Sequence, residues 1–414
     1  MTLMNDSLKV FLYPRMWLAL FMGFSSGLPL LLTITVLQAW LSYNDISLAT
    51  IGLMGLIGLP YSVKFLWAPL IDRFYVNYLG RRRFWLFLSQ GCLVVCIFIL
   101  GFQDPQISIR LIILSSLGIT FFSATQDIAV DAYRRESLLD NEQGLGAMMY
   151  TYGYRLGMLL ASAGGLIIAD QYGFNVVYLF MASVMGLTLV ITYLSPEPEN
   201  FGSSTTLMNA FILPLKDFNQ RFGGFNKALL VLMFIILYKL GDNFASHMSI
   251  PFYLGSGYTN TEIGAVVKLF GLGPLLIGIF LGGMVNLRYG LFYALILAGV
   301  LQAISTFGFA LIAVSEKSLI LLSAVISFEN LSGGMGTASL LAFMALLTNK
   351  QFTATQFALL SALAALPRVI LTAPTGWLAM QTGWLNFFIF SGLIAIPGMV
   401  LLIYYGKQWL NGKH

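Results

Sequence analysis

Nine ionisable residues sit inside long apolar stretches of the sequence: Lys64, Asp127, Asp131, Arg155, Lys239, Asp242, Lys268, Glu329 and Arg368. A charge at bilayer depth is costly, so it ordinarily faces a cavity or a partner and marks a route for protons, ions or polar solutes. Thr120, Ser123, Asp127 and Asp131 recur three or four residues apart and form one polar stripe on a helix. Asp131 precedes Arg134 and suits a salt bridge near the membrane edge. Asp127 lies one turn deeper and suits either a proton carrier or a fixed ion pair, because burial favours its neutral form and a nearby cation its charged form. Lys239 and Asp242 stand at i and i+3, where side chains on one helix face meet. They read as mutual neutralisation or as a pair that a proton or a substrate acid opens. Arg155 and Arg368 each present a permanent, forked cation that fits a carboxylate or phosphate. Pairing with Asp127, Asp242 or Glu329 is the other reading for both. Lys268 suits attraction of anions from outside. Glu329 precedes Gly333, Gly334 and Gly336, where glycine permits bending and close helix contact.

Enzyme chemistry has little to work with here. The chain has only two histidines and two cysteines, Cys92 and Cys96, which sit four apart in one apolar run. No metal-ligand cluster, nucleophile–base set or cofactor motif stands out, so the expectation is a non-enzyme without metal or cofactor.

The elements that must position these charges are membrane helices. Of 414 residues, 58% are hydrophobic and 9% charged, against roughly 25% charged in soluble domains. A membrane-crossing helix needs about 20 apolar residues. Twelve such runs occur, near 16–41, 48–71, 84–102, 108–131, 144–169, 174–194, 228–254, 262–284, 291–313, 319–347, 354–380 and 384–405. They are continuous rather than alternating, which excludes a strand barrel. With a cytoplasmic N-terminus, fifteen Lys and Arg fall on the inner side and only Arg110 and Lys317 outside. That bias predicts that both termini are cytoplasmic.

The longest polar stretch, 195–227, divides the runs six and six and predicts two six-helix bundles, 1–194 and 228–414. The halves echo each other at an offset of about 212 residues: Thr50-Ile51-Gly52 with Glu262-Ile263-Gly264, Asp72-Arg73 with Asn286-Leu287-Arg288, and Arg155 with Arg368. Six is even, so both halves insert in the same direction, the parallel repeat of major facilitator transporters. Ala68-Pro69-Leu70-Ile71-Asp72-Arg73 followed by Gly80-Arg81-Arg82-Arg83 resembles the superfamily's signature between helices 2 and 3, with stretched spacing. The resemblance implies that Asp72 caps a neighbouring helix, pairs with arginine and takes part in gating together with Arg73 and Asp131.

More specific segments span both halves. They include Phe24-Ser25-Ser26-Gly27-Leu28-Pro29, Lys64-Phe65-Leu66-Trp67-Ala68-Pro69, Gln126-Asp127-Ile128, Tyr154-Arg155-Leu156-Gly157, Tyr238-Lys239-Leu240-Gly241-Asp242, Glu329-Asn330-Leu331-Ser332-Gly333-Gly334-Met335-Gly336-Thr337 and Ala354-Thr355-Gln356-Phe357-Ala358. In these the chain resembles the AmpG-like muropeptide permease family. That resemblance implies a multi-pass importer of the bacterial inner membrane, driven by protons, moving N-acetylglucosaminyl-anhydro-N-acetylmuramyl peptides inward for wall recycling and β-lactamase induction. A more distant relative class moves acetyl-CoA, which is the alternative substrate. The expected partners are an anionic glycopeptide, protons and membrane lipids, with no nucleic acid, and a monomer suffices because the symmetry is internal. Substrate contacts are expected from Arg155, Arg368, Lys239, Lys268, Glu329, Gln126, Asn330 and Tyr152, with Tyr154, Tyr238 and Trp377 as further candidates for sugar rings. Proton coupling is expected at Asp127 and Asp242.

Overall fold

The computed structural model describes residues 13–46, 54–199, 207–372 and 374–410. Within these residues the chain is almost entirely helical, and its only bridge between extended residues joins Val76 to Gly80. Ten helices are long and apolar enough to cross a membrane, and two shorter apolar helices, Leu56–Leu66 and Thr353–Ala365, fall in the second and eleventh apolar runs. The protein is therefore a multi-pass, all-helical membrane protein. The start of the second run, including Thr50-Ile51-Gly52, lies outside the described residues.

We label the spans α1 (Pro14–Tyr43), α2 (Met54–Gly58 through Ala68–Arg73), α3 (Arg81–Leu100), α4 (Ile109–Ser137), α5 (Asp140–Tyr172), α6 (Phe174–Leu194), α7 (Phe225–Gly255), α8 (Asn260–Tyr289), α9 (Leu291–Val314), α10 (Leu319–Leu347), α11 (Thr353–Leu366 and its continuation) and α12 (384–393 and Ile396–Leu410). A separate linker helix covers Leu207–Arg221.

Several spans are interrupted, and proline or glycine explains most breaks. Pro60 and Pro69 each sit at the start of a short segment of α2, where a missing N–H costs nothing. Pro29 in α1 is followed by a π-helical turn at Leu32–Val36, since removing a donor shifts the hydrogen-bond ladder. Pro367 opens another π turn, Pro367–Leu371. Gly383 has φ 74° and ψ 163° and ends α11, so the last two runs separate within the 380–384 gap read from sequence. In α7 the break falls at Lys239 (φ −104°, ψ 2°), between Phe225–Tyr238 and Leu240–Gly255.

The chain divides into two compact units, each with its own core. The first comprises Met1–Leu139, Met149–Leu215 and Thr348–Ala358. Its core gathers Leu28, Leu32, Val36, Trp40, Leu93, Ile97, Ile119, Tyr178 and Met181 from α1, α3, α4 and α6. The crossing of α1 and α5 is glycine-lined: a Cβ at Gly23, Gly27, Gly153 or Gly157 would collide with the carbonyls of Tyr150, Tyr154, Leu20 or Phe24 respectively. Without bulk at these positions the two backbones approach directly, as small residues four apart allow in membranes.

The second unit comprises Asp140–Met148, Lys216–Leu347 and Leu359–His414. Its core includes Phe244, Phe252, Tyr253, Phe309, Phe387 and Phe388, with Phe309 stacked on Phe388 at 5.2 Å. Here α8 and α10 cross through Gly278 and Gly334, which face the carbonyls of Leu331 and Leu275. The α8 N-terminus carries a capping box, in which Thr259 and Glu262 satisfy each other's backbone N–H.

Candidate functional site

In the first unit the polar stripe of α4 meets α1 and α2. Lys64 Nζ lies 4.0 Å from Asp127 Oδ2, with both side chains largely buried. One residue along, Gln126 Nε2 donates to Ser25 Oγ at 2.9 Å. Trp67 Nε1 donates to Thr125 Oγ1 at 3.1 Å and ties α2 to the same helix. Asp131 Oδ1 sits 3.6 Å from Arg134 Nη2. Among the described residues, then, Asp127 is matched by lysine, not by Arg155. Arg155 is half-buried in α5 with Nη1 4.0 Å from Met158 Sδ, and Tyr152 and Tyr154 flank it, also half-buried.

In the second unit the break in α7 places Lys239 between two helices. Its Nζ is 3.0 Å from Asp242 Oδ2 and 3.1 Å from the Gly333 carbonyl of α10. That carbonyl also accepts from Thr337 Oγ1 at 2.8 Å, within the glycine-rich stretch. Glu329 has a different setting. Ser246 Oγ donates to its Oε1 at 3.0 Å and Asn330 Nδ2 to its Oε2 at 3.1 Å. Among the described residues no lysine or arginine side chain pairs with it. Arg368 is exposed within the π turn of α11. Lys268 belongs to α8, and its side chain lies outside the described residues. Tyr238 is buried with its hydroxyl donated to the Leu295 carbonyl at 2.9 Å, and Trp377 is 66% exposed.

The densest ionic network surrounds Asp72, in the first unit. Arg81 and Arg82 each place an Nη2 2.8 Å from Asp72 Oδ1. Asp72 Oδ2 accepts the Thr355 backbone N–H at 2.8 Å and its hydroxyl at 2.7 Å, so the carboxylate caps the N-terminus of α11. A carboxylate there gains from the orphan N–H groups and the helix dipole together. Arg81 also donates to the Gln351 carbonyl. Arg82 forks onto Glu136 of α4 at 2.9 and 2.7 Å, and Glu197 accepts the backbone N–H of Arg82 and of Arg83 at 2.7 and 2.9 Å, capping α3. Burial alone would push the Asp72 carboxyl up, but Arg82, Arg81 and the Thr355 hydroxyl outweigh it and hold it below its ordinary value. For Glu197 burial wins over the two backbone N–H groups and Arg82, and its carboxyl is raised.

The cap implied for Asp72 is present, but its arginines are Arg81 and Arg82. Arg73 stacks over the Phe74 ring at 4.9 Å. Sequence reasoning missed Glu136 and Glu197. The available signals were the Arg81-Arg82-Arg83 run, which read only as part of the signature between helices 2 and 3, and the Pro196-Glu197-Pro198-Glu199 stretch, which lies in the polar stretch read as the divider between the halves.

The chemistry on offer is buried ion pairing and hydrogen bonding. Among the described residues no group of three or more His, Cys, Asp or Glu lies close enough to hold a metal ion. Each unit carries a Lys–Asp pair within its helices, which suits handling of charged solutes or protons better than bond cleavage.

Comparisons with known proteins agree with this layout. Residues 16–372 match the family model described as Major Facilitator Superfamily. The Anhydromuropeptide permease of Escherichia coli (strain K12) is 42% identical over 402 residues, covering 96% of this chain and 81% of the relative. A protein named Putative transporter AmpG 4, from Rickettsia felis, is 33% identical over 411 residues, covering 97% and 98%. Among solved structures, the proton:xylose symporter XylE superposes with a TM-score of 0.68 at 12% identity, covering 94% of this chain and 95% of that one. The human organic anion transporter MFSD10 superposes with a TM-score of 0.65 at 19% identity, covering 94% and 100%. Identities this low speak for the fold alone.

Proposed function

The chain belongs to the Major Facilitator Superfamily, and from that premise we propose that it is a proton-coupled importer of anhydro-muropeptides, carrying them from periplasm to cytoplasm for peptidoglycan recycling. The observation that carries this reading is the 42% identity, over nearly the whole chain, to a permease whose name states that substrate class. The setting would be the bacterial inner membrane, with both termini cytoplasmic, and transport would proceed by alternating access of two six-helix repeats, 1–194 and 228–414.

The side chains suit the cargo. A muropeptide carries several carboxylates and polar sugar rings. In our reading Arg155, Arg368, Lys239 and Lys268 answer the carboxylates, while Gln126, Asn330, Tyr152 and Glu329 answer hydroxyl and amide groups. Asp127 and Asp242 handle the proton: each is held by one lysine, at 4.0 and 3.0 Å, and loss of charge on either carboxylate frees that lysine for an anion. Asp72, Arg73 and Asp131 belong to the gate, with Arg81 and Arg82 supplying the cations at Asp72.

Competition uptake tests the substrate. Right-side-out vesicles take up a radiolabelled anhydro-muropeptide, and excess unlabelled muropeptide is expected to abolish the signal while acetyl-CoA leaves it intact. Inhibition by acetyl-CoA alone would reassign the chain to acyl-CoA or other organic-anion transport.

A further inference from the structure

The polar stripe of α4 does not end at Asp131. Asp127, Asp131 and Arg134 stand at i, i+4 and i+7, one helix face, and Arg134 closes the row. Its side chain is 1% exposed. A guanidinium offers five N–H donors, yet Arg134 Nε, Nη1 and Nη2 have no hydrogen-bond acceptor within reach among the described residues. Asp131 is the neighbouring carboxylate, at 3.6 Å, and its Oδ1 is likewise without a hydrogen bond. The cation is instead held between two rings. Its central carbon lies 5.3 Å from the Tyr150 ring centroid and 5.6 Å from that of Phe357.

Arg82 shows the contrast. It is equally buried, on the same unit, and its Nε and Nη2 donors reach Glu136 and Asp72. The ion pair with Asp131 balances its charge, but buried donors without acceptors are expensive, and aromatic faces return only part of that cost even when water is excluded. Arg134 is therefore built to hold an acceptor other than the side chains around it. The ring over it, Phe357, sits on the first turns of α11, whose N-terminus is tied down by Asp72 through Thr355. The cover over the cation and the capped helix end are one piece of chain.

We propose that Arg134 is a carboxylate-binding site that the transported solute occupies on its way through, with Phe357 as its cover. The ligand class is an organic carboxylate, reached when the Phe357 ring moves aside. This deepens the anhydro-muropeptide reading and rests on it for the identity of the solute.

Purified full-length protein in liposomes tests the site with two anhydro-muropeptides, one with free peptide carboxylates and one with those groups as carboxamides. Arg134→Gln is expected to slow uptake of the acid at least about tenfold, the scale of one charge-assisted hydrogen bond, and to change uptake of the amide less than about twofold. Arg134→Lys, which keeps the charge but not the fork, is expected to fall between. Equal slowing of acid and amide would make Arg134 a packing residue and overturn the proposal, as would unchanged uptake of the acid. A second readout is independent of the substrate reading. In Phe357→Trp the reporter covers the cation, so titration with glutarate is expected to shift its emission, and Arg134→Gln in the same background should remove the shift. A shift that persists without Arg134, or none in either protein, overturns the site. Wild-type protein that carries neither muropeptide yet shows the Arg134-dependent shift would sink the substrate reading and leave the carboxylate site standing.

Discussion

Asp72 Oδ2 accepts the backbone N–H of Thr355 at 2.8 Å, across 283 residues of sequence. One buried carboxylate thus closes the α11 N-terminus and pairs with two guanidinium groups, Arg81 and Arg82, the second of which it shares with Glu136. Removing it leaves Arg81 without its carboxylate, Arg82 with Glu136 alone, and a helix end short of an acceptor.

Asp72→Asn is expected to destabilise the first unit by roughly 3–5 kcal/mol, the usual penalty for breaking a buried ion pair on one side. The thermal unfolding midpoint in detergent measures it. A cysteine placed at Gln351 should also react faster with a membrane-impermeant maleimide in the variant. An unchanged midpoint together with unchanged labelling would mean that the cap holds nothing.

The same network has a defined pH response. The Asp72 carboxyl is held below its ordinary value, so its contribution is present at neutral and mildly acidic pH and is lost only as pH falls through that depressed value. Glu197 runs the other way. Its carboxyl is raised, so the folded state takes up a proton at higher pH than the unfolded chain, and the cost of its buried charge is relieved as pH falls through the folded value. Between pH 7.5 and 5, wild type should therefore gain stability relative to Glu197→Gln, whereas the gap between wild type and Asp72→Asn should stay flat. Parallel melts of the three proteins give the comparison, and a wild-type advantage over Asp72→Asn that collapses by pH 5 would contradict it.

Lys239 and Asp242 form a largely buried pair, 3.0 Å apart on one helix face, with Lys239 also held by the Gly333 carbonyl. Either partner alone is costly to bury, while loss of both leaves no stray charge. Lys239→Met and Asp242→Leu should each destabilise the protein more than the double variant does, with a coupling energy in the range of about 0.5–3 kcal/mol. Additive losses would show that each residue has another partner of equal weight.

The α1–α5 crossing gives a sharp steric test. Gly153→Ala would drive a Cβ into the Leu20 carbonyl, which is backbone and has little room to move, whereas a Cβ at Gly186 meets nothing within 4 Å. Gly153→Ala should lower the yield of folded protein severalfold in size-exclusion chromatography, and Gly186→Ala should leave it unchanged. Comparable yields for the two would mean that the helices cross less closely than these contacts imply.

Much of this architecture was legible from residue types. Apolar runs located the spans, Gly383 fell in the gap drawn between the last two, and the i, i+3 spacing announced the Lys239–Asp242 pair. The cap by Asp72 was legible through its signature. Its arginines were not, because the stretched spacing left the partner open, and it is the turn at Val76–Gly80 that brings Arg81 and Arg82 back over Asp72. Glu197 was silent for a similar reason: its partners are backbone N–H groups of α3, and no side-chain pattern advertises such a cap. Arg134 read as a salt-bridge partner for Asp131, and only the position of Phe357 on α11 shows it covered. Long-range closure is what a one-dimensional pattern leaves out.

Coupled flux in proteoliposomes tests the central claim most directly. Purified protein is reconstituted, an inward proton gradient is imposed, and a defined anhydro-muropeptide is added while internal pH and internal substrate are recorded together. The account predicts that substrate accumulates above its external concentration only while the gradient lasts, with proton entry that begins on substrate addition and ceases in its absence. Accumulation that survives collapse of the gradient, or substrate entry with no accompanying proton movement, would contradict it.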